Sequence, residues 1–208
     1  MNSGHLYILS APSGGGKSSL ANALLPRLAA HGITASLSVS YTTRAPRQGE
    51  QDGVHYHFVD DATFTRMIAG DAFLEHAQVF DRHYGTGRAR TQQLLDAGHD
   101  VILDIDWQGA RQVRARFDHV RSIFILPPSV TELERRLRGR SQDDDAVIAR
   151  RMQAARSEMS HYDEYDQLII NDDFARALEQ LAAVFIAPRT AVDAQQKNHA
   201  RLIAELLA

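Results

Sequence analysis

Short apolar runs alternate along this chain with stretches in which apolar residues recur every three or four positions. Leu6 to Leu9, Val101 to Ile105, Ser122 to Leu126 and Leu168 to Ile170 have the length and continuity of strands buried on both faces, and Ser36 to Ser40 reads as a more polar strand. Helical patterns lie between them. From Lys17 onward Leu20, Leu24 and Leu28 share one face, and Pro26 predicts a kink or an end near Leu25. Arg88 to Ala97 stops at Gly98, and Ser129-Val130-Thr131-Glu132 has the form of a capping box that opens a run through Leu137. Ala146 to His161, Asp173 to Ile186 and the tail from Ala191 to Leu207 complete the helices. Strands alternating with helices predict an α/β fold, a mainly parallel sheet flanked by helices with its ligand site at the carboxyl ends of the strands.

Residues 41 to 87 break this rhythm. Proline, glycines and the aromatic alternation in "VHYHFV" predict a small strand-rich insertion. Composition adds bounds. The chain has 208 residues, 44% of them hydrophobic and 24% charged, which suits one globular domain with insertions. Without cysteine it has no disulfide, thiolate metal site or cysteine nucleophile. No leader pattern and no apolar run of membrane-spanning length are found, so the cytoplasm is the expected compartment, with no membrane partner. A net charge of −3 argues against a nucleic-acid partner bound through a basic surface.

The first strand and first helix are joined by Ser10 to Gly16, a turn with three successive glycines before Lys17-Ser18. Such a backbone can aim several N–H groups at an anion, and the following helix adds its positive end. Gly16-Lys17-Ser18 matches the end of the P-loop pattern, in which the lysine reaches the β- and γ-phosphates and the hydroxyl binds Mg²⁺. Ala11 departs from the strict pattern, which has glycine there.

Further along, "SVSYTTRAPRQGE" sets Arg44 and Arg47 beside Ser40, a grouping suited to phosphate oxygens but equally to a solvated loop. Tyr56 and Tyr84 offer hydroxyl donors, or packing. Asp104 and Asp106 close the apolar run "VILDID", at the edge where a crevice would lie, and are expected on the same side of the strand. Glu75 alone reads as a surface charge. His55 and His57 would share a strand face, without a third ligand nearby. Arg136, Arg140 and Arg151 read by themselves as an exposed helical hairpin, yet a mobile arginine-bearing segment also suits phosphoryl transfer.

Together, "SAPSGGGKSS", "SVSYTTRAPRQGE", "FLEHAQVF", "YGT", "LDIDWQGA", "ILPPS", "RRLRGR" and "IINDD", in this order, give the chain a resemblance to the guanylate kinases over residues 4 to 186. The resemblance implies a P-loop nucleoside monophosphate kinase fold, with a GMP-binding insertion at about 41–87, a helical lid at about 136–156 and a helical tail at 187–208. It implies ATP and GMP as substrates and Mg²⁺ as cofactor. By resemblance, Ala11, Pro12, Ser13, Gly14, Gly15, Gly16, Lys17 and Ser18 would cradle the ATP phosphates, with Ser18 on the metal and Asn171 near adenine. Ser40, Arg44, Arg47, Tyr56 and Tyr84 would hold the GMP phosphate, and Glu75, Thr86 and Asp106 would read guanine. Arg136, Arg140 and Arg151 would act on the transferring group from the lid. Asp104 stands between magnesium shell and acceptor contact. A guanylate-kinase-like module that binds phosphorylated peptide, and a sugar-phosphate kinase, are the competing readings; Lys17, Ser18 and the lid arginines oppose the first, the guanine-reading carboxylates the second. The tail is left free to pack on the core or on another subunit.

Overall fold

The computed structural model describes residues 4–79, 81–139 and 145–208. In chain order the elements are β1 (Leu6–Ser10), α1 (Lys17–Ala29), β2 (Ala35–Leu37), β3 (Ser40–Thr42), β4 (His57–Phe58), α2 (Asp61–Ala69), β5 (Phe73–Val79), β6 (Arg82–Gly87) and α3 (Arg88–Asp96). They continue with β7 (Asp100–Asp104), α4 (Trp107–Arg116), β8 (Val120–Leu126), α5 (Val130–Arg138), α6 (Asp145–Met159), β9 (Gln167–Ile170), α7 (Phe174–Ile186), α8 (Val192–Asn198) and α9 (Ala200–Leu207).

Five strands form a parallel sheet in the order β2-β7-β1-β8-β9. Its central strands are apolar on both faces because both are covered. Tyr7, Leu9 and Ile102 point into one core with Leu20, Leu24 and Leu28 of α1 and Leu181 and Phe185 of α7. Leu6, Ile8, Val101 and Leu103 point the other way, against Leu95 of α3 and Val113 of α4. The inserted region forms a second, four-stranded sheet in the order β4-β3-β6-β5, with β3 and β6 antiparallel and β5 and β6 antiparallel. Helices α5 and α6 enclose a small core of their own, made of Leu133, Leu137, Ile148, Met152 and Ala155.

Several expectations are corrected. Pro26 does not end α1, which runs on to Ala29. An internal proline costs about 3 kcal/mol, but Leu28 beyond it is fully buried and its carbonyl also accepts the Ile33 N–H at 3.1 Å, so tertiary packing holds the last turn. Ser36 to Ser40 is two strands rather than one, since the chain crosses between the sheets after Leu37. The Ser129 hydroxyl caps α5 by accepting the Glu132 N–H at 3.0 Å, but the Glu132 carboxylate pairs with Arg135 and Arg136 and does not return to complete the box. The tail is two helices, broken at His199. Two helices absent from the sequence reading, α2 and α4, each start at an aspartate cap: Asp60 accepts the Thr63 N–H at 2.6 Å and Asp106 the Gly109 N–H at 2.9 Å.

The fold is fastened at the edge opposite the phosphate turn by Asp100, whose side chain is fully buried. Its Oδ1 accepts the His5 N–H at 3.0 Å and its Oδ2 pairs with Arg189 at 2.8 Å, tying β1, β7 and the turn after α7 together. Burial pushes the Asp100 carboxyl up, but the His5 hydrogen bonds and the Arg189 charge outweigh it and hold it below its ordinary value. Asp100→Ala, which strands Arg189, should lower stability by about 3 kcal/mol in urea unfolding at neutral pH. Because the folded-state pKa is depressed, this contribution is complete above the ordinary aspartate range and is lost as pH falls through the folded value. The stability gap between wild type and variant should therefore narrow in acid.

Candidate functional site

The phosphate turn lies where β1 hands over to α1. Gly14 and Gly16 adopt φ of +87° and +96°, and a Cβ on Gly16 would come within 2.2 Å of the Asn171 amide nitrogen. Glycine is therefore required at Gly16 twice over, by backbone conformation and by space. Asp71 is the one non-glycine residue with positive φ among the described residues, so Ala11 is under no such strain. Asn171 is buried and donates from Nδ2 to the Gly15 carbonyl at 3.0 Å, while its own carbonyl accepts Arg136 Nη2 at 3.3 Å. Arg136 also bonds Glu132 at 2.7 Å, so a side chain of α5 braces the back of the turn.

In front of the turn is a cavity of about 370 Å³. The turn contributes Ala11, Pro12, Ser13, Gly14, Gly16, Lys17 and Ser18; the inserted sheet and its loops contribute Ser40, Arg44, Arg47, Tyr56, Glu75 and Tyr84; the end of β7 contributes Asp104, and the start of α4 contributes Asp106. Gly15, Thr86, Arg136, Arg151 and Asn171 lie outside this lining. Arg151 is half-buried on α6. Arg140 lies outside the described residues.

Lys17 forms an ion pair with Asp104. Burial disfavours the ammonium, but the Asp104 charge and hydrogen bond more than restore it and raise Lys17 above its ordinary value. The pairing follows from register: Leu9 of β1 lies opposite Asp104 of β7, so the end of β7 faces the start of the turn. Asp106 is not on the strand with Asp104, as the sequence suggested. β7 ends at Asp104, and Asp106 caps α4 with Oδ1 while Oδ2 accepts Gln108 Nε2 at 3.3 Å.

Across the inserted sheet, Ser40, Thr86 and Glu75 stand side by side on β3, β6 and β5. Thr86 donates to Glu75 Oε1 at 2.7 Å, and the Ser40 and Thr86 hydroxyls are 3.5 Å apart. Glu75 is no surface charge: it is 3% exposed. Desolvation raises its carboxyl to about 7, opposed by the Thr86 hydrogen bond and assisted by the charge of Asp106. At neutral pH it is thus poised between its two forms, not fully ionised. Gly109 makes this burial possible, since a Cβ there would lie 2.5 Å from Glu75 Oε2. Gly109 was missed in the sequence because a glycine inside a helix carries no signal of what approaches it.

Arg44 forms a fork with Glu50, both N–O distances being 2.9 Å, and its guanidinium lies 5.4 Å from the Tyr56 ring centre. Glu50 also accepts the Arg47 N–H at 2.7 Å, and the Arg44 hydrogen bonds with that amide hold its carboxyl down at about 2. Glu50 stands inside the arginine motif but was not singled out. Tyr56 and Tyr84 approach edge to face, 6.0 Å between centres, and burial raises the Tyr56 hydroxyl above its ordinary pKa. His55 accepts the Gln51 N–H through Nδ1 at 3.1 Å, and His57 packs on Tyr41. Glu158 of α6, which no sequence motif marks, also lines the cavity and accepts the Ser13 N–H at 3.0 Å.

Chemically, the cavity joins a backbone anion cradle with a paired lysine to a second cationic patch and a buried carboxylate. Comparison with known proteins gives this arrangement its family. The family model described as guanylate kinase matches residues 3–188. A guanylate kinase of Chromohalobacter salexigens is 60% identical over 99% of this chain and 94% of its own length. Those of Escherichia coli (strain K12) and Yersinia pestis are 56% and 55% identical over the whole of both chains. The crystal structure of guanylate kinase from Anaplasma phagocytophilum superposes with a TM-score of 0.75 at 33% identity, covering 95% of this chain and 96% of that one. The chain belongs to the guanylate kinase family, and it is a nucleoside monophosphate kinase.

Proposed function

We propose that this chain transfers the γ-phosphoryl group of ATP to GMP within the single cavity that joins the two anion-binding patches. One observation carries the reading: the glycine turn with Lys17 and the arginine patch with Arg44 line the same space, with Glu75 between the inserted sheet and α4. The turn from Ala11 to Ser18 holds the donor phosphates, and Lys17, paired with Asp104, meets the β- and γ-phosphates. Ser40, Arg44, Arg47, Tyr56 and Tyr84 hold the acceptor phosphate, for which Arg44 exchanges the Glu50 carboxylate. Glu75, Thr86 and Asp106 read the base. Guanine offers N1–H and an amino group as donors, so ionised carboxylates complement it. The acceptor oxygen is already anionic at neutral pH, so the reaction needs alignment and charge neutralisation rather than a strong base.

The lid is the segment at about 136–156, which includes the end of α5 and most of α6, and Arg136, Arg140 and Arg151 would act from it on the transferring group. Asn171 shapes the turn from behind, beside the adenine end. Mg²⁺ fits the donor set: Ser18 and Asp104 would supply hard oxygen ligands at the turn, and this ion is usually held by one or two protein groups together with phosphates. Bound there, it would supply positive charge that offsets the phosphate oxygens. The cytoplasm is the compartment we assign, because both nucleotides are found there; no described helix is long and apolar enough to cross a membrane.

Lys17→Ala should lower kcat by about 10³-fold with little change in melting temperature, since its charge serves the phosphates and not the core. Steady-state assays beside thermal melts check this, and near-normal turnover in a folded variant would remove the donor assignment. GMP should exceed AMP in kcat/KM by about 10⁴-fold, because the bare N1 of adenine would face a carboxylate and leave polar groups unpaired. Glu75→Gln and Asp106→Asn should each lose much of that preference; retention of full discrimination by both would exclude the carboxylates as base readers. Since Glu75 titrates at about 7 and must ionise to accept from guanine, GMP affinity should weaken as pH falls below that value, approaching about tenfold per unit. Glu75→Gln should lose this slope, the titration of the GMP phosphate being common to both proteins, and equal slopes in calorimetric titrations would contradict it.

A further inference from the structure

Glu158 belongs to no motif in the sequence, yet it reaches the phosphate turn from the last turn of α6. Its Oε2 accepts the Ser13 N–H at 3.0 Å, and the carboxylate is near enough to Lys17 and Asp106 to feel both charges. An amide of the anion-binding turn is thus already bonded to an anion of the chain itself. A carboxylate and a phosphate oxygen compete for that N–H, and in a partly desolvated cavity their like charges repel. One of them must withdraw.

The consequences of withdrawal can be followed along α6. Ile148, Met152 and Ala155 of this helix pack against Leu133 and Leu137 of α5, so the pair shares one core. Past the end of α6, the ring of His161 stacks on Trp107 with centres 3.8 Å apart. Any shift at Glu158 therefore lies between the lid core on one side and the sole tryptophan of the chain on the other.

We propose that Glu158 is a displaceable anion on the phosphate turn: the donor phosphates take the Ser13 N–H from it, and its release couples ATP arrival to movement of α6 and the lid. This rests on the turn being the donor site. A fixed strut at the same position would have the opposite signature, because its loss would loosen the turn and weaken ATP binding.

The test is titration of wild type, Glu158→Gln and Glu158→Asp with MgATP and with inorganic tripolyphosphate, followed by calorimetry and by Trp107 emission. Gln keeps the shape without the charge, and Asp keeps the charge but shortens its reach to Ser13. Both variants should bind both ligands more tightly, Gln by about tenfold, an ordinary coupling between linked events. Wild-type Trp107 emission should change with either ligand, and the change should be smaller in Glu158→Gln. Misfolding does not tighten binding, so the expected gain is not a by-product of damage. Unchanged or weaker affinity in folded variants of a wild type that binds ATP would overturn the inference alone. A wild type whose affinity for both ligands is indifferent to Lys17→Ala would overturn the donor reading and the inference with it.

Discussion

The parallel register of β1 against β7 sets Leu9 opposite Asp104, and the architecture of the site follows from that pairing. It brings the carboxyl end of one buried strand to the turn that leaves the other, so the first lysine of α1 meets a carboxylate at once. Without Asp104, desolvation would pull the Lys17 ammonium down from the raised position that the Asp104 charge and hydrogen bond give it. The same junction directs the chain into α4. Asp106, two residues on, caps that helix, and Gly109 in its first turn leaves room for Glu75 of the inserted sheet.

Three donor groups that line the cavity are matched by carboxylates of the chain. Lys17 has Asp104, Arg44 has Glu50 and the Ser13 amide has Glu158. Concentrating donors for several phosphates in one cleft is costly if they face only each other. Internal carboxylates offset that repulsion and keep the side chains in forked or paired geometries. Under the proposed function they would also set a threshold, since an incoming anion would compete with each for its partner.

The parts of the site differ in how firmly they are held. The turn is enclosed between the sheet core and α5, since a Cβ on Gly14 would lie 3.0 Å from Leu133. The inserted sheet is held to the main body in part by hydrogen bonds from α4, with Gln112 exchanging bonds with the His76 backbone at 3.2 and 2.7 Å. Among the described residues, helices α5 and α6 share a buried core of their own, separate from the main sheet. Small independent cores favour motion as units, which suits parts that close around two substrates.

Beyond the turn, most of the side chains expected in the cavity were assigned to it only through the family resemblance; by itself the sequence determined the layered α/β class and the position of the phosphate turn. These were legible because their causes are local: a continuous apolar run is a strand covered on both faces, and glycines before Lys-Ser shape one turn. Of the kink or end expected at Pro26 the end does not occur, because local chemistry disfavours the last turn while the burial of Leu28 supports it. Tertiary structure alone decided that Ser40, Thr86 and Glu75 align across three strands, that Glu75 is buried and titrates near neutrality, and that Glu158 reaches Ser13 across 145 residues of chain. Register, desolvation and long-range contact are properties of elements packed together, and no window of sequence contains them.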